Sequence, residues 1–556
     1  MKFNKKIELV IFVVIVLAAS FLRLWQLGNV PASPDWDEAA LGYNAYSIKE
    51  TGKDEYGSSF PIILRSFDDY KPALYAYFVI PFISLFGLDV FAVRLVSALF
   101  GISIVIAVYF ILKEIVGDRK SIPPIASFLL AISPWHIQFS RIAFESNVGL
   151  ALNVFSVLFF IKGVKRPLFL LLYTLCAGLS LYVYQSEKVF VPLLFILLVF
   201  IYRNTLFKLL KKYLILSLIT GIVIAFPIAN YTLTKKEALT RAQGVSVFSA
   251  DNQYLNDLSK RNLINKEQGN FIGLIFDNRR IFHAKSVIDN YLSHFNIYWL
   301  FLSGDENRHH APSMGLLYLW EFPFLFVGIY NLLFGKWNMK LKLLIFGLFL
   351  LAPVPASVTT GVPHSVRTLN FLPTFQIFTA IGIIQAYFFF RGFYLRLKTY
   401  DLRKYLLLLG LTSYVLLTIL NFVYYLNQYF VQQNYFYSEA WQYGYKGAID
   451  EVKKIENKYS KIIVSNQPHL DQSYIFFLFY LKYSPVLYQK ETWGVSGGFA
   501  ENHYFGKFEF RPIVWEKEKK DGKTLYVGRP NDFPDINVIK TIYFLDGKEA
   551  IKIVEG

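Results

Sequence analysis

The chain has 556 residues, 54% hydrophobic and 18% aromatic against 17% charged, a balance that excludes a soluble enzyme and marks a polytopic α-helical membrane protein. Its net charge of +17 does not point to nucleic acid, because the Lys and Arg fall in short clusters between apolar spans, the pattern of cytoplasmic loops beside anionic lipid. The lone cysteine, Cys176, lies in an apolar run and allows no disulfide within the chain.

Residues 7 to 24 are apolar for about 18 positions, enough to cross roughly 30 Å of hydrocarbon, and lead into Arg23 and Trp25. They read as a retained helix, with Lys2, Lys5 and Lys6 holding the N-terminus on the cytoplasmic side. A first outer loop, 25 to 89, follows. Its stretch 31 to 75 is polar and rich in carboxylates and reads as a water-facing rim. Residues 72 to 87 are short, contain Pro81 and end without a basic cluster, so they read as a helix lying at the outer interface.

Later spans alternate between basic and non-basic ends. Inward spans at 90 to 112, 147 to 161, 189 to 202, 314 to 334 and 369 to 390 each reach a Lys/Arg loop. Outward spans fall at 122 to 137, 167 to 184, 213 to 231, 343 to 361 and 405 to 427. With the first helix this predicts about eleven transmembrane helices, a second outer loop at 232 to 312, and an extracytoplasmic C-terminal piece. In that piece, 431 to 556, β-like runs at 461–465, 524–528 and 538–545 and an apolar helix at 472–484 predict a small α/β domain beside the 1–430 membrane domain. SGGF at 496 to 499 reads as a plain turn, since no phosphate-loop frame surrounds it.

Asp37, in Trp36-Asp37-Glu38-Ala39, sits at the outer mouth of the first span, where a carboxylate can act as base toward a hydroxyl. Glu38 would then orient a neighbour. Both acids would equally cap a helix beginning at Ala39. Lys71, after Asp68 and Asp69 and before Pro72, is a cation suited to a phosphate leaving group, or a lysine snorkelling to headgroups. Asp35-Trp36-Asp37 has the form of a two-carboxylate metal ligand set, but nothing at fixed spacing completes it, so no cofactor is assigned and a divalent cation stays open. Arg94, Arg141, Glu145, Glu187 and Lys188 fall toward the outer ends of spans, where each is costly without a partner or water; as a set they describe a polar chamber. Arg308, His309 and His310 in one stretch, and His364 and Arg367 in another, suit a phosphate at the membrane surface. Adjacent His309 and His310 cannot both face one metal from a helix, and no zinc site is read there.

The Asp-Glu pair after the first span, DDYKPALYAYFVIPF, FAVRLVSALFG at 91 to 101 and the PHSVR segment together resemble the multi-pass C-type (GT-C) glycosyltransferases, in particular the family 39-like group of protein O-mannosyltransferases and lipid A aminoarabinose transferases. The resemblance covers residues 1 to 430 and leaves the C-terminal module outside. It implies a polyprenyl-phosphate sugar donor, a lipid, glycan or protein acceptor, and inverting transfer on the outer face of the plasma membrane. It makes Asp37 the base and associates Lys71 with donor phosphate. Lys71-Pro72-Ala73 departs from the commoner His-Pro-Pro or Lys-Pro-Pro, and the large lumenal repeats of the eukaryotic mannosyltransferases are missing, which leaves the acceptor open. Two other readings compete: a lipid-linked sugar transporter or flippase, for which the related halves and broken helices are not seen, and an envelope glycan ligase or polymerase.

Overall fold

The computed structural model describes residues 5–67, 69–235, 244–249, 253–397, 402–491, 502–534 and 536–556. Lys2, Asp68 and the SGGF turn lie outside the described residues. Eight described helices are long and apolar enough to cross a membrane: Lys5–Leu24 (α1), Val90–Ile115, Glu145–Lys165, Glu187–Leu206, Lys211–Thr234, Met339–Ser357, Leu369–Arg396 and Leu402–Phe436. The chain is a multi-pass membrane protein.

Three of the eleven expected spans are shorter helices, Ile122–Ile132, Phe169–Ser180 and Glu321–Phe334. The first is cut by sequence chemistry: Ser133 is extended, and Pro134 opens a separate helix, Pro134–Arg141, as proline does at a first helical position. Trp36–Thr51 forms α2, Leu74–Phe86 α3, and the Val90–Ile115 span α4. At 13 residues, α3 reaches about 20 Å, and it packs between α2 and α4.

The basic loops gather at one end of the bundle. Lys113 pairs with Glu8 at 2.7 Å and Lys165 with Glu114 at 2.5 Å. Arg119 donates to the Lys336 carbonyl and stacks on Trp337, and Lys340 reaches Thr205. The carboxylate-rich segment lies at the other end, with the C-terminal domain.

That domain is a six-stranded mixed sheet. Numbering strands from the hairpin at Ile63–Ser66 (β1) and Asp69–Pro72 (β2), they are β3 Lys461–Val464, β4 His503–Phe505, β5 Phe508–Phe510, β6 Thr524–Gly528, β7 Lys540–Tyr543 and β8 Glu549–Glu555. Their order is β4-β5-β3-β6-β8-β7, with β3 parallel to both its neighbours. Helices Tyr445–Ile455 and Ser473–Leu481 pack together. One continuous apolar core joins α2, α3 and the start of α4 to the helix Ser473–Leu481 and the strands. α2 fits so closely that a Cβ at Gly42 would lie 2.6 Å from Phe479 and 2.8 Å from Val93.

This corrects the reading of 31 to 75 as a water-facing rim. Asp35, Glu38, Asn44, Ser47, Asp54 and Glu55 are all buried, because the C-terminal domain covers what a hydropathy pattern alone leaves open. The stretch 232 to 312 also holds more structure than a loop, with helices Gln253–Glu267, Phe271–Phe276 and Arg279–Ser293.

Candidate active site

The site begins with the first turn of α2. The helix starts at Trp36, not at Ala39, and its cap is Asp35, whose carboxylate accepts from the Glu38 amide at 2.9 Å while Glu38 accepts from the Asp35 amide at 3.2 Å. This reciprocal capping box satisfies two orphan donors and takes no part of Asp37. The second oxygen of Asp35 accepts from Arg308 at 2.8 Å. Both oxygens of Asp35 are thus engaged within the protein.

Glu38 points into the protein. Arg94 forks onto it with two bonds of 2.8 Å, and the Ala143 amide adds a third donor at 2.7 Å. Arg94 also donates to the carbonyls of Leu27, Pro31 and Ser33. The fully buried pair therefore pins the chain between α1 and α2 to α4. Neither member lines the cavity beside Asp37. Arg141 is likewise internal, donating to Leu22 and Val30 carbonyls under Phe430.

Lys71 is delivered by the β1–β2 hairpin, in register opposite Leu64. Its ammonium is hydrogen-bonded to Asp37 Oδ1 and lies 4.0 Å from Glu145 Oε1. Burial works against its charge, but Asp37 and Glu145 outweigh it and hold the amine above its ordinary range. Lys71 is thus a buried cation between two carboxylates. Asp37, Lys71 and Glu145 line a polar cavity of about 150 Å³, with Tyr184 and Gln185 on one side and Glu306, Arg308, His309 and His364 on the other. Gln185 donates to the Tyr70 carbonyl at 2.6 Å and ties that side to the hairpin.

On the opposite wall Arg308 lies over the Trp36 ring at 4.5 Å. Burial opposes its charge, and Asp35 and Asp37 more than restore it. His309 and His364 rings lie 5.3 Å apart. Asp305 accepts from the Ser365 amide at 2.7 Å and hydroxyl at 2.9 Å, and its Oδ1 is 3.3 Å from His309 Nδ1. His310 turns away, toward the Ala311 carbonyl. Lys188 and Arg367 line an adjoining cavity of about 370 Å³ that shares Tyr184 and Gln185; Arg367 is held there by Thr359 and the Thr360 carbonyl. Glu187 is buried between Asn153 and Asn370 and faces neither cavity.

Of the predicted residues, the structure brings together Asp37, Lys71, Glu145, Arg308 and His364, sets Lys188 and Arg367 next door, and places Glu38, Arg94 and Arg141 inside the packing. Tyr184 and Gln185 were missed, since YVYQ carries no chemical signal in sequence. Asp305 was missed too, although the density of acids and histidines in GDENRHH marks it.

Residues 70–230 match the model of the dolichyl-phosphate-mannose-protein mannosyltransferase family. Among curated proteins no match was found. Among solved structures, ArnT from Cupriavidus metallidurans in the apo state is 12% identical with a TM-score of 0.53, covering 98% of this chain and 97% of that one. The same protein bound to undecaprenyl phosphate is 11% identical, also at 0.53, covering 99% and 98%. The likeness therefore runs through the C-terminal module, which the sequence resemblance had left out. Residues 70–230 thus carry the mannosyltransferase family signature, and the chain as a whole has the multi-pass fold of the C-type glycosyltransferases.

Proposed function

We propose that the chain is an inverting glycosyltransferase that moves a sugar from a polyprenyl-phosphate donor to a hydroxyl of a lipid, glycan or protein. The observation that carries this is the Asp37–Lys71 pair at the wall of a polar cavity, set into the end of an apolar bundle. Asp37 takes the acceptor hydroxyl's proton as that oxygen attacks the anomeric carbon. The bond from carbon to phosphate oxygen breaks as the new glycosidic bond forms. Lys71 then faces the charge left on the phosphate monoester. A direct displacement of this kind inverts the anomeric centre.

The resting ion pair orders the events. A donor phosphate that draws the Lys71 ammonium to itself releases the Asp37 carboxylate for the acceptor. Lys188 and Arg367, in the adjoining cavity, meet the phosphate as the carrier arrives, and Arg308 helps hold the negative charge. ArnT, whose fold this chain shares, binds undecaprenyl phosphate, which supports a lipid-phosphate donor. The basic end of the bundle takes the cytoplasmic side by the positive-inside tendency, so the site and the C-terminal domain face the other side of the plasma membrane.

The test is transfer by the purified protein in lipid nanodiscs, supplied with polyprenyl-monophosphate sugars and an envelope extract as acceptor. Release of free polyprenyl phosphate with gain of one sugar mass on the acceptor supports the reading. Its absence for every monophosphate donor, with turnover of a diphosphate-linked glycan instead, overturns it in favour of a ligase.

A further inference from the structure

We infer that Asp305, His309 and His364 form a binding site for one divalent transition-metal cation of the zinc class, on the wall of the cavity that Asp37 and Lys71 also line. One ligand atom from each residue lies within 4.8 Å of the other two. The separation of 3.3 Å between His309 Nδ1 and Asp305 Oδ1 is that of two ligands sharing a tetrahedral ion, since bonds of about 2.0–2.2 Å at that angle put the ligand atoms about 3.3 Å apart. His309 Nδ1 is buried and faces Asp305. Two nitrogens and one oxygen form a donor set for zinc, and three protein ligands leave a fourth position facing the cavity.

The surroundings hold these groups as outer partners hold metal ligands. Ser365 fixes Asp305 through both its amide and its hydroxyl. The amide of His364 donates to His294 Nε2 at 3.2 Å, and His294 in turn donates from Nδ1 to the Asn290 carbonyl at 2.7 Å. His309 is wedged between the rings of Phe139 and Phe144, which limits its movement. The competing account is a proton: a protonated His309 would meet Asp305 as a plain ion pair.

A cation here would share with Lys71 the charge on a phosphate in the cavity. That consequence rests on the transferase reading; the binding site does not. The experiment therefore reads metal and not turnover. Full-length protein in nanodiscs is stripped with EDTA and titrated with Co²⁺, then Zn²⁺. Expected is one cobalt per chain, with tetrahedral visible bands that zinc abolishes and two imidazole ligands by X-ray absorption. Stoichiometry falls to near zero in His309→Ala and in the near-isosteric Asp305→Asn, affinity falls about 10–100-fold in Ser365→Ala, and the remote His283→Ala binds as wild type. No stoichiometric cobalt in the wild type, or cobalt without imidazole ligands, overturns the site whatever the variants do. Retention of full binding by both ligand variants, each monodisperse, overturns it as well and leaves the proton-linked pair.

Discussion

Asp37 and Glu38 are neighbours in the chain and acids of similar strength in isolation, yet they occupy opposite worlds. Glu38 is buried, and its two oxygens meet Arg94 and the amides of Asp35 and Ala143. Asp37 is partly exposed, meets Lys71 through Oδ1 and lines a cavity. On a helix, successive residues turn by about 100°, so the first turn of α2 sends one carboxylate into the packing and the next into the site. A carboxylate saturated by donors is a building element; one whose partner is a movable cation can change partners, which is what a base must do.

The comparison is sharpest in its largest expected effect. Asp37→Asn should cut transfer by about 10²–10⁴-fold, the usual reach of a general base, with the unfolding temperature of the detergent-solubilised protein unchanged. A thermal shift comparable to the loss of activity would show that Asp37 is structural after all. Next, Glu38→Gln and Arg94→Met should each behave the other way: breaking a buried pair by removing one partner costs about 3–5 kcal/mol, seen as poor expression and early unfolding. The double variant Glu38→Gln/Arg94→Met should recover part of that loss, because no uncompensated charge is left behind.

A smaller effect probes the packing that separates the two acids. Gly42→Val would drive a side chain into Phe479 and Val93, and overpacking of this kind costs about 1–3 kcal/mol. It should loosen α2 from the C-terminal domain, read as faster proteolysis between them, and lower transfer only through the site's geometry. Retained protease resistance would mean that the two domains are not held by this contact.

The smallest effect concerns pH. Glu55 is buried, with Asn44 donating to one oxygen at 3.0 Å and nothing bonded to the other. Burial pushes its carboxyl up to about 8, so between the ordinary carboxylate range and pH 8 the folded protein holds a proton that the unfolded chain releases. The stabilisation is full below that window and is lost as pH rises through it. The unfolding temperature should fall by a few degrees from pH 6 to pH 9, and Glu55→Gln should flatten that slope. An unchanged slope would assign the pH dependence to other groups.

Much of the fold was legible because a bilayer imposes length and polarity on each span independently of its neighbours. Residues 90 to 112 read as a span and fall within Val90–Ile115, and 369 to 390 fall within Leu369–Arg396. The break at Ser133-Pro134 was read through, because the apolar run around it is continuous. In the C-terminal module β3, β6 and β7 fall in the β-like runs, whereas β4 and β5, three residues each, are too short for any periodicity to show. The helix beginning at Trp36 was placed three residues late, since the choice between Asp35 and Asp37 as cap depends on backbone geometry and not on residue type.

Hydropathy and charge, properties that each segment carries by itself, were enough to decide that this chain crosses a membrane many times, that its basic loops share an end, and that acids and bases crowd the first loop. Which carboxylate faces a cavity and which is buried under arginine was decided only by the assembled structure. That choice depends on contacts between residues hundreds of positions apart, such as Arg308 with Asp35 or Phe479 against α2. Such contacts arise when the second outer stretch and the C-terminal domain close over the first loop, and no local pattern of residues encodes them.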